Sequence, residues 1–196
     1  MIFDHQRTVM QKFHAIEEAN GFPRGLIHLS LEDPIDQSRI REQAWNAIEE
    51  LGEVLDTPEG RFEELADVMH FLVELMVLAD CGPERLVIIR PMPKDALDYL
   101  YEEAERAWPP GFANPDDDVI KLSFVFSLAR AIHELKNKPW KQTRRPTDLA
   151  RFYLLLRVAL VDFFAICLSQ GLSAHELFEY YVRKNQANHQ RVAQGV

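Results

Sequence analysis

The stretch Ile48-Glu49-Glu50-Leu51-Gly52-Glu53-Val54-Leu55-Asp56-Thr57-Pro58-Glu59-Gly60-Arg61-Phe62-Glu63-Glu64-Leu65-Ala66-Asp67 decides the fold. Apolar residues recur at helical spacing on both sides of Thr57-Pro58-Glu59-Gly60, and those four residues form a tight break. So short a break lets the two helices fold back antiparallel. Acids three apart share a helix face, so Glu50 and Glu53 can meet Glu64 and Asp67. Four carboxylates converging without counter-charge either take up protons or hold divalent cations. Oxygen donors without cysteine or clustered histidine suit Mg²⁺, with Mn²⁺ as an option, rather than Zn²⁺. A single ExxE is ordinary on an exposed helix. Two facing copies, the second set among Leu65, Val68, Phe71 and Leu72, indicate a half-buried site. His70, three residues after Asp67, reads equally well as a supporting group or as a satisfied core histidine.

Outward from this pair, helical signals continue in both directions. Val9, Phe13 and Ile16 mark a first helix, stopped near Asn20-Gly21-Phe22-Pro23. Asp33-Pro34 opens a second, with Ile40, Ala44, Ile48, Leu51 and Leu55 as its apolar stripe. A third, about 61–80, ends at Cys81-Gly82-Pro83. Leu86-Val87-Ile88-Ile89 is the one plausible strand, cut short by Pro91 and Pro93. Helices are expected at about 95–108, 119–136 and 148–170, the last and most apolar ending at Gly171. The loop PPGFANPDDD (109–118) separates two halves, and KPWKQTRRPT (138–147) is a basic loop. Ser173-Ala174-His175-Glu176 is a capping box opening a last helix to about 192. The expected class is all-α: a helical bundle built on antiparallel helix pairs.

Charge divides the chain. Residues 1–118 carry 10 basic and 26 acidic side chains, whereas 119–196 carry 12 basic and 5 acidic. We expect one domain over 1–196, with an acidic metal-binding half (1–108) and a basic phosphate-binding half (119–196). The overall charge of −9 disfavours duplex nucleic acid as a partner. Phe152–Leu168 is short for a membrane span and carries Arg157 and Asp162, so no membrane role is expected. Two cysteines without a CxxC and an N-terminus without an apolar run fit the cytoplasm. No phosphate loop, dinucleotide turn or nucleophile elbow is present.

The halves echo each other. Ile48-Glu49-Glu50-Leu51-Gly52-Glu53 parallels Ile132-His133-Glu134-Leu135-Lys136-Asn137, and Glu64-Leu65-Ala66-Asp67 parallels Ala159-Leu160-Val161-Asp162. Each acid couple keeps one member in the second copy. A degenerate internal duplication and a chance likeness between amphipathic helix pairs stand at even odds on these residues alone.

Three further groups bear on function. Lys184, Asn188 and Arg191 follow i, i+4, i+7 on the last helix, beside Asn185, and make a stripe of phosphate donors or a polar helix end that complements its dipole. Trp140 lies between Lys138 and Lys141, placed to stack on a base or to cover core. Gln11 and His14 share a face of the first helix, suited to reading a base edge or to closing the core margin.

Taken together these residues resemble the all-α nucleoside triphosphate pyrophosphohydrolases, which include the MazG-like enzymes, the dimeric all-α dUTPases and the phage dCTPase–dUTPases. The superfamily pattern EExxE…ExxD is met by Glu49, Glu50, Glu53, Glu64 and Asp67. The dUTPase branch adds KNxxNxxR, met by Lys184, Asn185, Asn188 and Arg191. It also adds a Trp-Lys loop, compare Trp140-Lys141, and an early Gln-x-x-Asn, compare Gln11 and His14. The departures are Val196 for a terminal Tyr, Val192 for the Gln after Arg, His14 for Asn, and a Trp-Lys loop that follows the second acid segment. The resemblance implies a Mg²⁺-dependent diphosphatase, dUTP to dUMP and pyrophosphate, or the same chemistry on dCTP or a purine deoxynucleotide. A non-catalytic nucleotide-binding helical module is the alternative. It implies Glu49, Glu50, Glu53, Glu64 and Asp67 as metal ligands and Glu50 or Glu53 as the general base. Gln11, His14, Trp140, Lys141, Lys184, Asn185, Asn188 and Arg191 are then the substrate contacts. A homodimer is expected.

Overall fold

The computed structural model describes residues 2–21, 30–57, 59–87, 96–109 and 118–194. Eight helices follow in order: α1 (Ile2–Ala19), α2 (Pro34–Asp56), α3 (Arg61–Leu78), α4 (Pro83–Leu86), α5 (Ala96–Ala107), α6 (Asp118–His133), α7 (Leu149–Ser169) and α8 (Ala174–Gln194). No strand occurs among the described residues, and the all-α expectation holds. The strand expected from Leu86 is corrected: Leu86 closes the short helix that Pro83 opens, and its side chain is buried. Ile88–Pro93 lies outside the described residues, as do Phe22, Pro23, Pro58, the 110–117 part of the PPGFANPDDD loop, and Gly195-Val196.

Local signals set the helix ends. Asp33 accepts from the Ile35 and Asp36 amides at 2.8 and 3.3 Å, so two donors that the helix start leaves over are satisfied, and Pro34 needs none. The Ser173 box closes in both directions: the Ser173 amide donates to Glu176 at 2.9 Å, and the Glu176 amide donates to Ser173 Oγ at 3.3 Å. Gly171 adopts φ +79°, where a side chain would be strained, and lets the Leu172 amide reach back to Cys167 O at 3.0 Å.

Two antiparallel hairpins, α2–α3 and α6–α7, make the most extensive helix contacts. α8 and α1 cover α3, and α5 covers α7. One apolar cluster runs from Ile2 and Met10 through Leu65, Leu72 and Met76 to Phe124, Phe152, Phe163, Phe164 and Tyr181. α7 is long and apolar enough to cross a bilayer, yet 72% of that window is packed inside the bundle, as in a core helix. Two expected stripes turn out differently. α1 buries Ile2, Phe3, Gln6, Val9 and Met10, a face one turn nearer its start, and leaves Phe13 and Ile16 about 40% exposed. In α2, Leu55 is exposed beyond the edge of the core that Ile40, Ala44 and Leu51 fill.

Candidate metal and nucleotide site

The end of α2 and the start of α3 flank one turn, fixed by the Thr57 amide donating to Glu53 O at 2.9 Å. That turn sets two acid-bearing faces against each other. A carboxylate oxygen from each of Glu50, Glu53 and Glu64 lies within 4.8 Å of the others. Asp67, one turn deeper on α3, bonds Lys184 Nζ of α8 at 2.5 Å. Three helices therefore converge: α2 and α3 supply negative charge, and α8 supplies a cation at the rim.

The electrostatics follow from this crowding. Burial, then the like charges of Asp67, Glu53 and Glu64, push the Glu50 carboxyl up to about 7, with Lys184 pulling the other way. Glu64 is raised by burial, against Lys184. Asp67 is raised as well: burial outweighs the hydrogen bond and charge of Lys184 and the more remote charge of Arg191. A half-buried group of carboxylates that resists its own ionisation is a fit for a hard divalent cation. The donors are all oxygen, and each ionised pair repels until a cation lies between them. Glu50, Glu53 and Glu64 would hold such an ion, with Asp67 adjacent.

The other expected residues divide. Glu49 faces outward and accepts from the Trp45 indole at 2.7 Å, apart from the three gathered carboxylates. Asn185 is buried, and its amide nitrogen has no partner among the described residues. Asn188 is half-buried and Arg191 exposed on the same helix as Lys184. Gln11 is exposed, and His14 contacts the Arg39 guanidinium. Trp140 and Lys141 sit in the loop after α6, whose base is anchored near the start of α2: Arg41 donates to Asn137 O at 2.6 Å and to Leu135 O. Glu50 lies nine residues further along that helix, about 14 Å at 1.5 Å per residue.

The sequence pattern does not reveal the group behind the cleft. Gln6, on the buried face of α1, accepts from the Tyr181 hydroxyl at 2.7 Å. The His70 ring stacks on Tyr181 at 4.0 Å and lies 3.0 Å from Gln6 Oε1 and 3.2 Å from Tyr181 O. Burial lowers His70 to about 4, so the ring is neutral in its pocket and donates from one nitrogen only, to either Tyr181 O or Gln6 Oε1. Gln6 Nε2 also donates to Glu74 at 3.4 Å, where burial raises the carboxyl to about 7 against the pull of Arg39. The spacing Phe3, Gln6, Met10 signals that Gln6 is inward, but only once Ile2 is counted as helical.

A family model described as dUTPase matches residues 53–196, well over half of the chain, and takes in Glu53, Glu64, Asp67 and the Lys184–Arg191 stripe. Nothing matches among the curated proteins or among the solved structures.

Proposed function

The chain belongs to the dUTPase family, and on that premise we propose that it is a Mg²⁺-dependent deoxynucleoside triphosphate diphosphatase converting dUTP and water to dUMP and pyrophosphate. The observation that carries the reading is the closure of Glu50, Glu53 and Glu64 to within 4.8 Å beside the Asp67–Lys184 pair. When bound, Mg²⁺ neutralises phosphate charge and acidifies a bound water. Glu50, Glu53, Glu64 and Asp67 would hold it, and Glu49, bonded to Trp45 on the outer face, would support them. Glu53 or Glu50 takes the proton of the water that attacks the α-phosphorus. Lys184 leaves Asp67 for the β- and γ-phosphate oxygens, and Arg191 adds a forked donor beside it. Asn185 and Asn188 supply amide donors on the same face. Gln11 and His14 would meet the base.

The same chemistry on dCTP or a purine deoxynucleotide is the second reading. It is favoured by His14, which faces Arg39 and presents a different donor pattern from an amide. A homodimer is supported by the exposed apolar side chains Val119, Leu122 and Phe126 of α6 and Leu154 and Val158 of α7. The reducing cytoplasm suits the buried, unpaired Cys81 and Cys167. The test is pyrophosphate release from dUTP, dCTP, dTTP, dATP and dGTP with and without Mg²⁺. Glu53→Gln and Asp67→Asn are each expected to lower the rate at least ~100-fold, because the cation supplies several kcal/mol of transition-state stabilisation. Full activity in both variants, or nucleotide binding without turnover, overturns the enzymatic reading.

A further inference from the structure

Polar groups fasten α1 to the bundle at two places. Near its start Gln6, 3% exposed, donates to Glu74 of α3 at 3.4 Å and accepts from Tyr181 of α8 at 2.7 Å. Just over two turns later His14 contacts the Arg39 guanidinium of α2, and Glu17 lies 4.0 Å from that guanidinium. Arg39 is 8% exposed, so its charge acts almost wholly out of water. Apolar burial is concentrated in the first half of the helix, at Ile2, Phe3, Val9 and Met10, while Phe13 and Ile16 lie largely open. The second half of α1 therefore leans on the charged cluster for its seat.

Glu74 joins the two fastenings. The Gln6 amide bonds it, the Arg39 charge favours its ionised form, and Glu17 of α1 and Glu42 of α2 oppose that form. The remaining groups around it carry no charge. Tyr181 of α8 keeps its hydroxyl proton, and His70, one turn back on α3 and bonded to the same Gln6, is neutral. His14 meets a guanidinium that is a donor only, so its Nε2 accepts and that ring is neutral too. Three carboxylates on three helices thus share the Arg39 guanidinium. A proton on Glu74 reduces the excess of negative charge from two to one.

We propose that the proton on Glu74 is a lock for α1. Protonated, Glu74 lets α1 close on α2 and α3. Ionised, it sets three negative charges around one guanidinium, and the second half of α1 opens. The helix covers α3 and α8, and the His70 and Tyr181 side chains beneath it lie one turn from Asp67 and Lys184. Opening α1 bares the back of that ion pair, which makes the proton a regulator of access to it. The lock concerns only how α1 is seated and does not rest on the hydrolytic reading.

The test is amide hydrogen exchange of the full chain in EDTA at pH 6 and 8.5, each rate divided by its intrinsic value, with a urea series at both pH values. The Glu50→Gln background removes the other carboxyl that titrates near 7. With Glu74 at about 7 in the closed helix and 4.5 in the opened one, protection of residues 10–19 should fall roughly five- to tenfold from pH 6 to 8.5. That exchange should depend weakly on urea, because a lifted helix end exposes little surface, whereas α7 should keep the steep dependence of global unfolding. Glu74→Gln should abolish most of the fall. Glu17→Gln, at the rim of the cluster, should shrink it, and decides the matter if Glu74→Gln perturbs folding. A fall that neither variant reduces, or no fall at all, overturns the proposal. So does exchange of α1 with the protection and urea slope of α7, which means that the helix opens only with the whole fold. Loosening toward acid pH instead identifies His14 charging against Arg39 as the titrating group and overturns it as well.

Discussion

Replacing Glu50 by Gln separates the chemical role of the acid cleft from its structural cost. In the folded chain the Glu50 carboxyl sits at about 7, against 4.5 for the free side chain. A shift of that size corresponds to roughly 3 kcal/mol of disfavoured charge if fully realised. Glu50 is only partly buried and solvent screens part of the repulsion, which leaves about 1–2 kcal/mol. The sign follows from proton binding. Between about pH 4.5 and 7 the folded chain holds a proton that the unfolded chain has lost, so stability falls as pH rises through that window. At pH 8 in EDTA, Glu50→Gln is therefore expected to be more stable than the wild type by about 1–2 kcal/mol, roughly 2–8 °C in Tm. At pH 5 the gain shrinks toward zero, because the wild-type carboxyl is already protonated. Mg²⁺ should raise the Tm of the wild type more than that of the variant, and narrow or invert their order. Thermal unfolding followed by circular dichroism in the four conditions measures this. A variant no more stable than the wild type in EDTA at pH 8, with equal Mg²⁺ shifts in both, refutes the crowded-carboxylate argument.

Other expectations follow from the same geometry. Mg²⁺ binding below pH 7 must expel the Glu50 proton, so affinity by calorimetry should strengthen as pH rises, by about tenfold between pH 6 and 8. Arg151→Ala strips the main partner from buried Glu134 and should cost about 1–3 kcal/mol in urea unfolding, largely recovered by adding Glu134→Gln. Tyr181→Phe removes the hydroxyl that donates to Gln6 and should cost about 1 kcal/mol with little change in helicity. Asp33→Ala, which uncaps α2, should cost about 1 kcal/mol in the same assay.

What the chain spells out locally, the structure keeps. The Asp33-Pro34 start, the Ser173 capping box, the Gly171 stop and the acid spacing around Thr57-Gly60 are each set within four residues of themselves, and each forms as read. The misreadings concern faces that only a packed neighbour selects. Phe13 and Ile16 have the right period, but α3 and α8 meet α1 nearer its start, so Gln6 goes inside and Gln11 stays out. Leu86 opens a run of strand composition, but Pro83 starts a helical turn that takes in Leu86, and no strand lies among the described residues to pair with it. Glu134 and Arg151 are 17 residues apart across a loop, a pairing that no local pattern announces. The Trp140 loop is tethered through Asn137 and through Arg41 of α2, an anchorage likewise absent from any local pattern.

The anchoring of α8 has a consequence for how this protein can change. Tyr181, fully buried against His70 and bonded to Gln6, seats the helix from which Lys184 reaches out one turn later. Lys184 can let go of Asp67 by turning its own chain, with the backbone standing still. The outer flank of α1 has no such root: Gln11 borders solvent and Phe13 packs only in part. Variation accumulates most cheaply on that flank, while the seat from which Lys184 reaches Asp67 is held by buried contacts and changes least.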